Sequence, residues 1–231
     1  THTHAQHTHA GVSRCSRAKA LLAGYVHYEN LKPLVARIGL IRKEKDEAKN
    51  FEVRQSSLAD AEEALWLAVE QQIDKADSYY QSLIESLQHQ SEYVTLEMRK
   101  VKNLQEFLVA RGLQVGDVDG FYGPLTISAL REHVDSGQTQ EAPEASPDSL
   151  DVVADFCSTL GHLQEFILIN YVVLAKLCKY YFERAGLGTD FERRLHAKLP
   201  ATQLYTTPGL LDLMCQAEAL VAGDVSIGKA R

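Results

Sequence analysis

One apolar stripe, running through the first half of the chain, sets most of what this sequence can fold into. Leu58, Leu65, Val69, Ile73, Ala76, Tyr80, Leu83, Leu87, Val94, Met98, Val101, Leu104 and Leu108 step mostly by three, four or seven, while Glu62, Glu63, Gln71, Asp74 and Lys75 lie on the opposite face. That period is the signature of a helix with one buried side. Over roughly 50 residues it exceeds an ordinary globular helix and calls for a partner of comparable length, as in an extended bundle or a coiled-coil-like pair. A second long helical pattern, from about Leu150 to Arg184, supplies that partner. The two stop at "VARGL" and "RAGLG", where a glycine can take the left-handed conformation that ends a helix.

The rest of the chain is helical in period as well, and no run of alternating strand residues appears. A short helix ending near Gly24 and a second beginning near Asn30, with Pro33 in its first turn, form an N-terminal hairpin. Between the long helices, "GLQVGDVDGFYGPLTISALREH" changes composition, with four glycines, a proline, an Asp-Gly turn signal and a short helix from about Thr126. Residues 135–148 are polar, contain two prolines and read as a linker. Two amphipathic helices, near Thr189–Lys198 and Pro208–Val221, close the chain; residues 1–15 and 224–231 read as tails. The expected fold is all-α: an elongated helical bundle with two long antiparallel helices, an N-terminal helical hairpin and short C-terminal helices.

Charge narrows the partners. The 231 residues carry a net charge of −7, which argues against general nucleic-acid binding. The distribution is uneven. Arg14 to Arg54 holds ten basic residues against five acidic, residues 135–165 hold seven acids and no Lys or Arg, and residues 176–198 hold six basic against three acidic. Two separate segments can therefore build a basic patch, suited to a compact anion. The longest apolar stretch, Phe166–Leu174, is interrupted by Asn170 and falls short of the roughly 20 residues a membrane span needs. No membrane span is expected.

Cys15, Cys157, Cys178 and Cys215 show no Cys-x-x-Cys spacing and read as reduced thiols, which fits a cytoplasmic setting, as the cytosolic part of a larger protein. His2, His4, His7 and His9 lie in a low-complexity end without preorganised metal geometry. Asp117 and Asp119 sit on a turn and lack the later ligands of a calcium loop. No Cys/His pair, phosphate loop or metal-ligand spacing supports catalysis, so neither enzyme activity nor a cofactor is expected.

Tyr28 and Lys32, four apart at a helix start, can face one ligand, and unpaired N–H groups there favour an anion. A tyrosine packed in the bundle beside a solvated lysine satisfies the same spacing. Lys176 and Lys179 likewise read as a ligand face or a solvated edge.

The order of these segments resembles the SPX domain. A hairpin with "YxxYxxLKxL" (25–34), a long helix with "EQQIDKADSYYQSLIESL" (70–87), an insertion, and a second long helix with "INYVVLAKLCK" (169–179) follow the family pattern across about residues 18–223. The resemblance implies a helical sensor that binds inositol polyphosphates or pyrophosphates and reports phosphate status to an attached effector domain or protein partner. It implies ligand contacts from Tyr28, Lys32, Lys176 and Lys179, with Lys19 as the nearest candidate for the family's basic start. The third and fourth signature lysines are replaced by Tyr180 and Glu183, with Arg184 adjacent as partial compensation, and Pro33 replaces a second lysine. A carboxylate beside the ligand implies weaker binding than a full cluster. The alternative is a helical protein-interaction or structural module with a degenerate site.

Residues 101–133, "VKNLQEFLVARGLQVGDVDGFYGPLTISALREH", resemble a small peptidoglycan-binding module. Leu104, Gln105, Leu108, Gly112, Asp119, Gly120, Gly123, Thr126, Ala129 and Leu130 match its pattern. Peptidoglycan binding through this insertion is one implied reading; a structural cap or protein-contact knob is the other.

Overall fold

The structure is a computed structural model describing residues 24–47, 51–137, 141–185 and 189–223; Cys15, Lys19, the four amino-terminal histidines and most of the expected first helix lie outside them. The described residues form an all-α bundle without strands. In chain order the helices are α1 (Tyr28–Glu47), α2 (Phe51–Val109), α3 (Pro124–Asp135), α4 (Ser149–Ala185), α5 (Thr189–Lys198), α6 (Gln203–Thr206) and α7 (Pro208–Val221), with a 3₁₀ turn at Leu199–Ala201.

The apolar stripe of α2 is the core. From Leu65 to Leu108 its residues are buried, except Leu83, which is half-buried. Ser91 occupies the gap in the stripe and is buried too, because its hydroxyl donates to Gln216 Oε1 at 2.8 Å. The helix ends as its glycine requires: Gly112 has φ +77°, its N–H bonds Val109 O at 2.9 Å, and Leu113 N–H bonds Leu108 O at 3.1 Å. These two bonds cap carbonyls that the helix itself leaves unpaired.

Two boundaries differ from expectation. Helix α1 begins at Tyr28, so Pro33 lies inside it instead of in its first turn, with both Pro33 and Glu29, whose carbonyl loses its helical partner, open to water. Helix α3 begins at Pro124, two residues before Thr126, because proline's fixed φ and missing N–H suit the first helical position.

The chain divides into two compact units. The first contains the described residues up to Ser82 together with Gln164–Thr206. Here α2 and α4 run antiparallel: Tyr79 meets Phe166, with ring centroids 5.2 Å apart, while Tyr181 OH donates to Glu62 Oε1 at 3.1 Å. Helix α5 is fastened to α2 by charge. Lys198 Nζ lies 3.2 Å from Glu70 and 2.7 Å from Asp74, and Arg194 pairs with Glu63 at 2.6 Å. The start of α6 is held by Leu204 N–H, which bonds Asp77 Oδ1 at 2.7 Å.

The second unit contains Leu83–Leu163 and the described residues from Thr207 on. Its hairpin core consists of Leu104, Leu108, Val115 and Ala129, flanked by Phe107, Leu113, Val118, Tyr122 and Leu130. Ala142 and Ala145, from the polar stretch read as a linker, pack against this core as well.

Helix α4 is the one helix among the described residues long and apolar enough to cross a membrane by length and composition. The expectation of no such segment treated Asn170 as an interruption, whereas an 18-residue window within Ser149–Arg184 reaches a mean hydropathy of 1.3. Its inward residues, among them Phe156, Leu163, Phe166 and Leu177, are buried in the bundle. Cys157, Cys178 and Cys215 are free thiols.

Candidate functional site

The chain approaches α1 through a narrow aromatic passage. Tyr25 and Tyr79 both lie against Phe166, with ring centroids 5.1 and 5.2 Å away, and Gly24 fits beside them because a Cβ there would come within 2.5 Å of the Tyr79 ring. Two side chains then fix the backbone. Val26 N–H donates to Asn170 Oδ1 at 2.8 Å, and His27 N–H donates to Gln72 Oε1 at 3.2 Å. Asn170 is wholly buried, and its Nδ2 donates to Phe166 O at 2.9 Å, so both ends of its amide are used. The segments "EQQIDK", "YVHYENLK" and "INYVVLAK" therefore meet at this point.

Sequence reasoning did not single out Asn170 or Gln72 as positioning residues. The available signal was a lone amide inside an otherwise apolar run, a residue that is costly to bury unless both its donor and its acceptor are satisfied.

Beyond this anchor, α1 lies along the last turns of α4. Tyr28 meets Tyr180 edge-on with ring centroids 6.4 Å apart, and the Arg184 guanidinium carbon lies 5.5 Å from the centroid of the same Tyr180 ring, in cation–π range. Gly39 allows close packing farther along, since a Cβ at that position would be 2.9 Å from Arg184 O. The structure thus brings Tyr28 and Arg184 together through Tyr180. Lys32 is exposed one turn after Tyr28, and Lys176 is exposed one turn before Tyr180, about 40° from it around the helix.

Lys179 belongs to a different flank. It lies about 100° from Tyr180 around α4 and lines a hollow of about 230 Å³ with Cys178, Tyr181, Phe182, Phe191 and Glu192. It also faces Glu183 at 3.9 Å, with both side chains largely exposed. The amide signal at the start of α1 is likewise partly used internally: besides Val26 and His27, Asn30 N–H bonds His27 O at 3.1 Å.

No family model matches this chain, and neither a curated protein nor a solved structure shows significant similarity to it. Any functional reading rests on its own residues.

Among the described residues, no group of three or more His, Cys, Asp or Glu side chains is gathered to hold a metal ion. Burial raises the Cys178 thiol, with Glu192 adding to the effect, so Cys178 is the opposite of an activated thiolate.

The second candidate was the insertion, and its polar signature turns inward. Gln105 is buried; its Oε1 accepts Gly120 N–H at 2.9 Å, while its Nε2 lies 3.1 Å from Asp119 Oδ1, 3.0 Å from Phe121 O and 3.3 Å from Thr126 Oγ1. Asp119 Oδ1 also accepts Phe121 N–H at 2.8 Å. Gly120 has φ +83°, and a Cβ there would lie 2.8 Å from Met98 O, so the turn requires glycine for both conformation and space. Gln105, Asp119, Gly120 and Thr126 of the resemblance build the hairpin's own scaffold.

The first unit has an alkaline liability. Tyr181 is pushed up to about 12, first by burial and then by the Glu62 carboxylate that accepts its hydrogen bond; burial, with Asp77 secondary, takes Tyr80 to about 12. A raised folded pKa means that the native state keeps its proton after the unfolded chain has ionised. The contribution is full below about pH 10 and is lost as pH rises through about 12. Denaturant midpoints measured from pH 8 to pH 12 are expected to fall above pH 10, and less steeply in Tyr181→Phe.

Proposed function

We propose that this chain is an SPX-like regulatory domain that binds a multiply phosphorylated anion, of the inositol polyphosphate or pyrophosphate class, on the surface where α1 meets the end of α4. The observation that carries this reading is the convergence on Tyr180: Tyr28 from α1 and Arg184 from α4 flank one ring, with Lys32 and Lys176 exposed one turn away on their respective helices. A polyphosphate needs several cations and hydroxyl donors from different helices, each giving a charge-assisted hydrogen bond. Binding neutralises cations on two helices at once and fixes their relative position, which is the change a partner protein or attached effector domain would read. The natural setting for such a ligand is cytoplasmic.

Tyr180 substitutes for a lysine by holding Arg184 over its face. Glu183 opposes an anion, and its pairing with Lys179 reduces what that lysine can offer. The useful cations in this reading are Lys32, Lys176 and Arg184, with Lys179 secondary.

The test is calorimetric titration with inositol hexakisphosphate at low and physiological ionic strength. Salt-sensitive binding is expected, falling at least about tenfold in Lys32→Ala/Lys176→Ala, with a smaller loss in Lys179→Ala. No binding at low salt would overturn the proposal.

For the insertion we favour a structural role in the second unit over peptidoglycan binding, because its signature residues are consumed by internal hydrogen bonds.

A further inference from the structure

The outward face of α4 within the first unit carries an exposed apolar patch between charged ends. Leu168, Ile169, Tyr171, Val172 and Phe182 are 62, 44, 58, 39 and 56% exposed, which gathers five of the large exposed apolar side chains into four turns of one helix. Scattered exposed leucines are ordinary, but a contiguous apolar face marks a contact surface.

The spacing on this face is that of a helix-pairing seam. Glu165, Leu168, Val172, Ala175, Lys179 and Phe182 follow one another at intervals of three and four, and none of the six is buried. Such a 3–4 repeat keeps one edge of a helix against a neighbouring helix. Along α4 the inward stripe serves the bundle, and this second stripe is exposed, its carboxyl-terminal members Lys179 and Phe182 bordering the hollow beside α5.

The charges at the ends of the seam identify the occupant. Glu165 and Lys179 each stand seven residues, about two turns, from Val172, one on either side. Two copies of α4 laid antiparallel about Val172 set Glu165 of each against Lys179 of the other, Leu168 against the aliphatic stem of Lys176, and Ile169 against Ala175. A two-fold interface has this self-complementarity, each patch meeting an identical one. The main competitor is an anionic bilayer, into which an apolar face with flanking lysines could dip. Glu165 and Glu183 on the same face, and a chain of net charge −7, oppose it.

We propose that the outward α4 face, from Glu165 to Lys179, is an isologous docking surface for a second copy of this chain, pairing antiparallel about Val172. Glu183, 3.9 Å from Lys179 within the chain, competes for that lysine only as an exposed and weak partner. A contact of about four helical turns is smaller than a standard stable interface, so the association is a concentration-dependent one.

Sedimentation equilibrium of the full chain, without any ligand, tests this separately from the inositol-phosphate reading. The expected result is a weight-average mass that climbs from one chain toward two as concentration rises through the micromolar range. Val172→Glu should abolish the rise while leaving the circular dichroism spectrum and melting temperature unchanged, since Val172 lies on the outer face. Glu165→Lys and Lys179→Glu should each weaken association about tenfold, and the double charge swap should restore it. A monomer at every concentration, a dimer indifferent to Val172→Glu, or a double swap no better than either single change would overturn the proposal. So would a monomer that floats with phosphatidylserine-containing vesicles through this same face.

Discussion

Replacing Gln105 by leucine should cost the hairpin about 3 kcal/mol, although the volume is nearly conserved and the replacement is apolar. The reason lies in what remains behind. The buried Gly120 N–H loses its acceptor, and the buried Thr126 hydroxyl and the half-buried Asp119 carboxylate and Phe121 carbonyl lose a shared donor. An unmade hydrogen bond on a buried group is expensive even where the made bond is worth little net. Thr126→Val, which removes one peripheral member at 3.3 Å, should cost only about 1 kcal/mol. Hydrogen exchange read over residues 101–133 separates the two variants. Wild-type-like protection in Gln105→Leu would mean that the network is not what holds the turn.

Asn170→Leu should be comparably severe, at about 2–3 kcal/mol, and under the proposed function its effect extends to inositol-phosphate binding. The substitution leaves Val26 N–H without a partner and forces a branched side chain between Phe166 and the backbone approaching α1. Tyr28 follows Val26 by two residues, so the ring that meets Tyr180 would no longer be held in register. Trp66, the sole tryptophan, lies in the first unit against Phe191 and reports its unfolding directly. A lowered denaturant midpoint in Trp66 fluorescence, together with weakened inositol hexakisphosphate binding, is the expected pair of results. Asn170→Asp keeps the acceptor for Val26 but sets a carboxylate oxygen against Phe166 O, so it should fall between wild type and leucine. An unchanged midpoint in both variants would refute the anchoring role.

The fold was largely legible because its information is local. Helical periodicity needs no knowledge of distant partners, and it found α2, α4, α5 and α7 along with the glycine that ends α2. The inward stripe of α2 predicted the core nearly residue by residue, since a helix this long has only one way to bury a continuous apolar edge. Pro33 and Pro124 marked helix starts less well: proline is compatible with several positions near a start, and the choice among them depends on what the preceding residues contact.

The proposed site can be read in the sequence as a set of residue types but not as a set of directions. Lys176 and Lys179 are three apart, which permits a shared face, yet α1 lies along the Tyr180 and Arg184 side of α4, and Lys179 turns toward the Phe182 hollow. Which flank of a helix receives a neighbour is decided by tertiary contacts such as Gly39 against Arg184 O, and sequence spacing does not carry that information. Asn170 and Gln105 illustrate the same limit from the other side. Each appears in the sequence as a polar residue in an apolar pattern, and its acceptors or donors become visible only when segments 144 and 15 residues away are folded against it.

Three amides that take no part in a helical hydrogen-bond ladder share an arrangement with a kinetic consequence. Val26, Leu204 and Gly120 each donate to a side chain of α2 or α4, namely Asn170, Asp77 and Gln105. Amides at such positions ordinarily exchange with solvent as soon as the local backbone frays. These three can exchange only when the long helix carrying their acceptor draws away. Their exchange rates therefore time the separation of packed segments within each unit, and the long helices' own amides, protected by their neighbours along the same helix, cannot supply that clock.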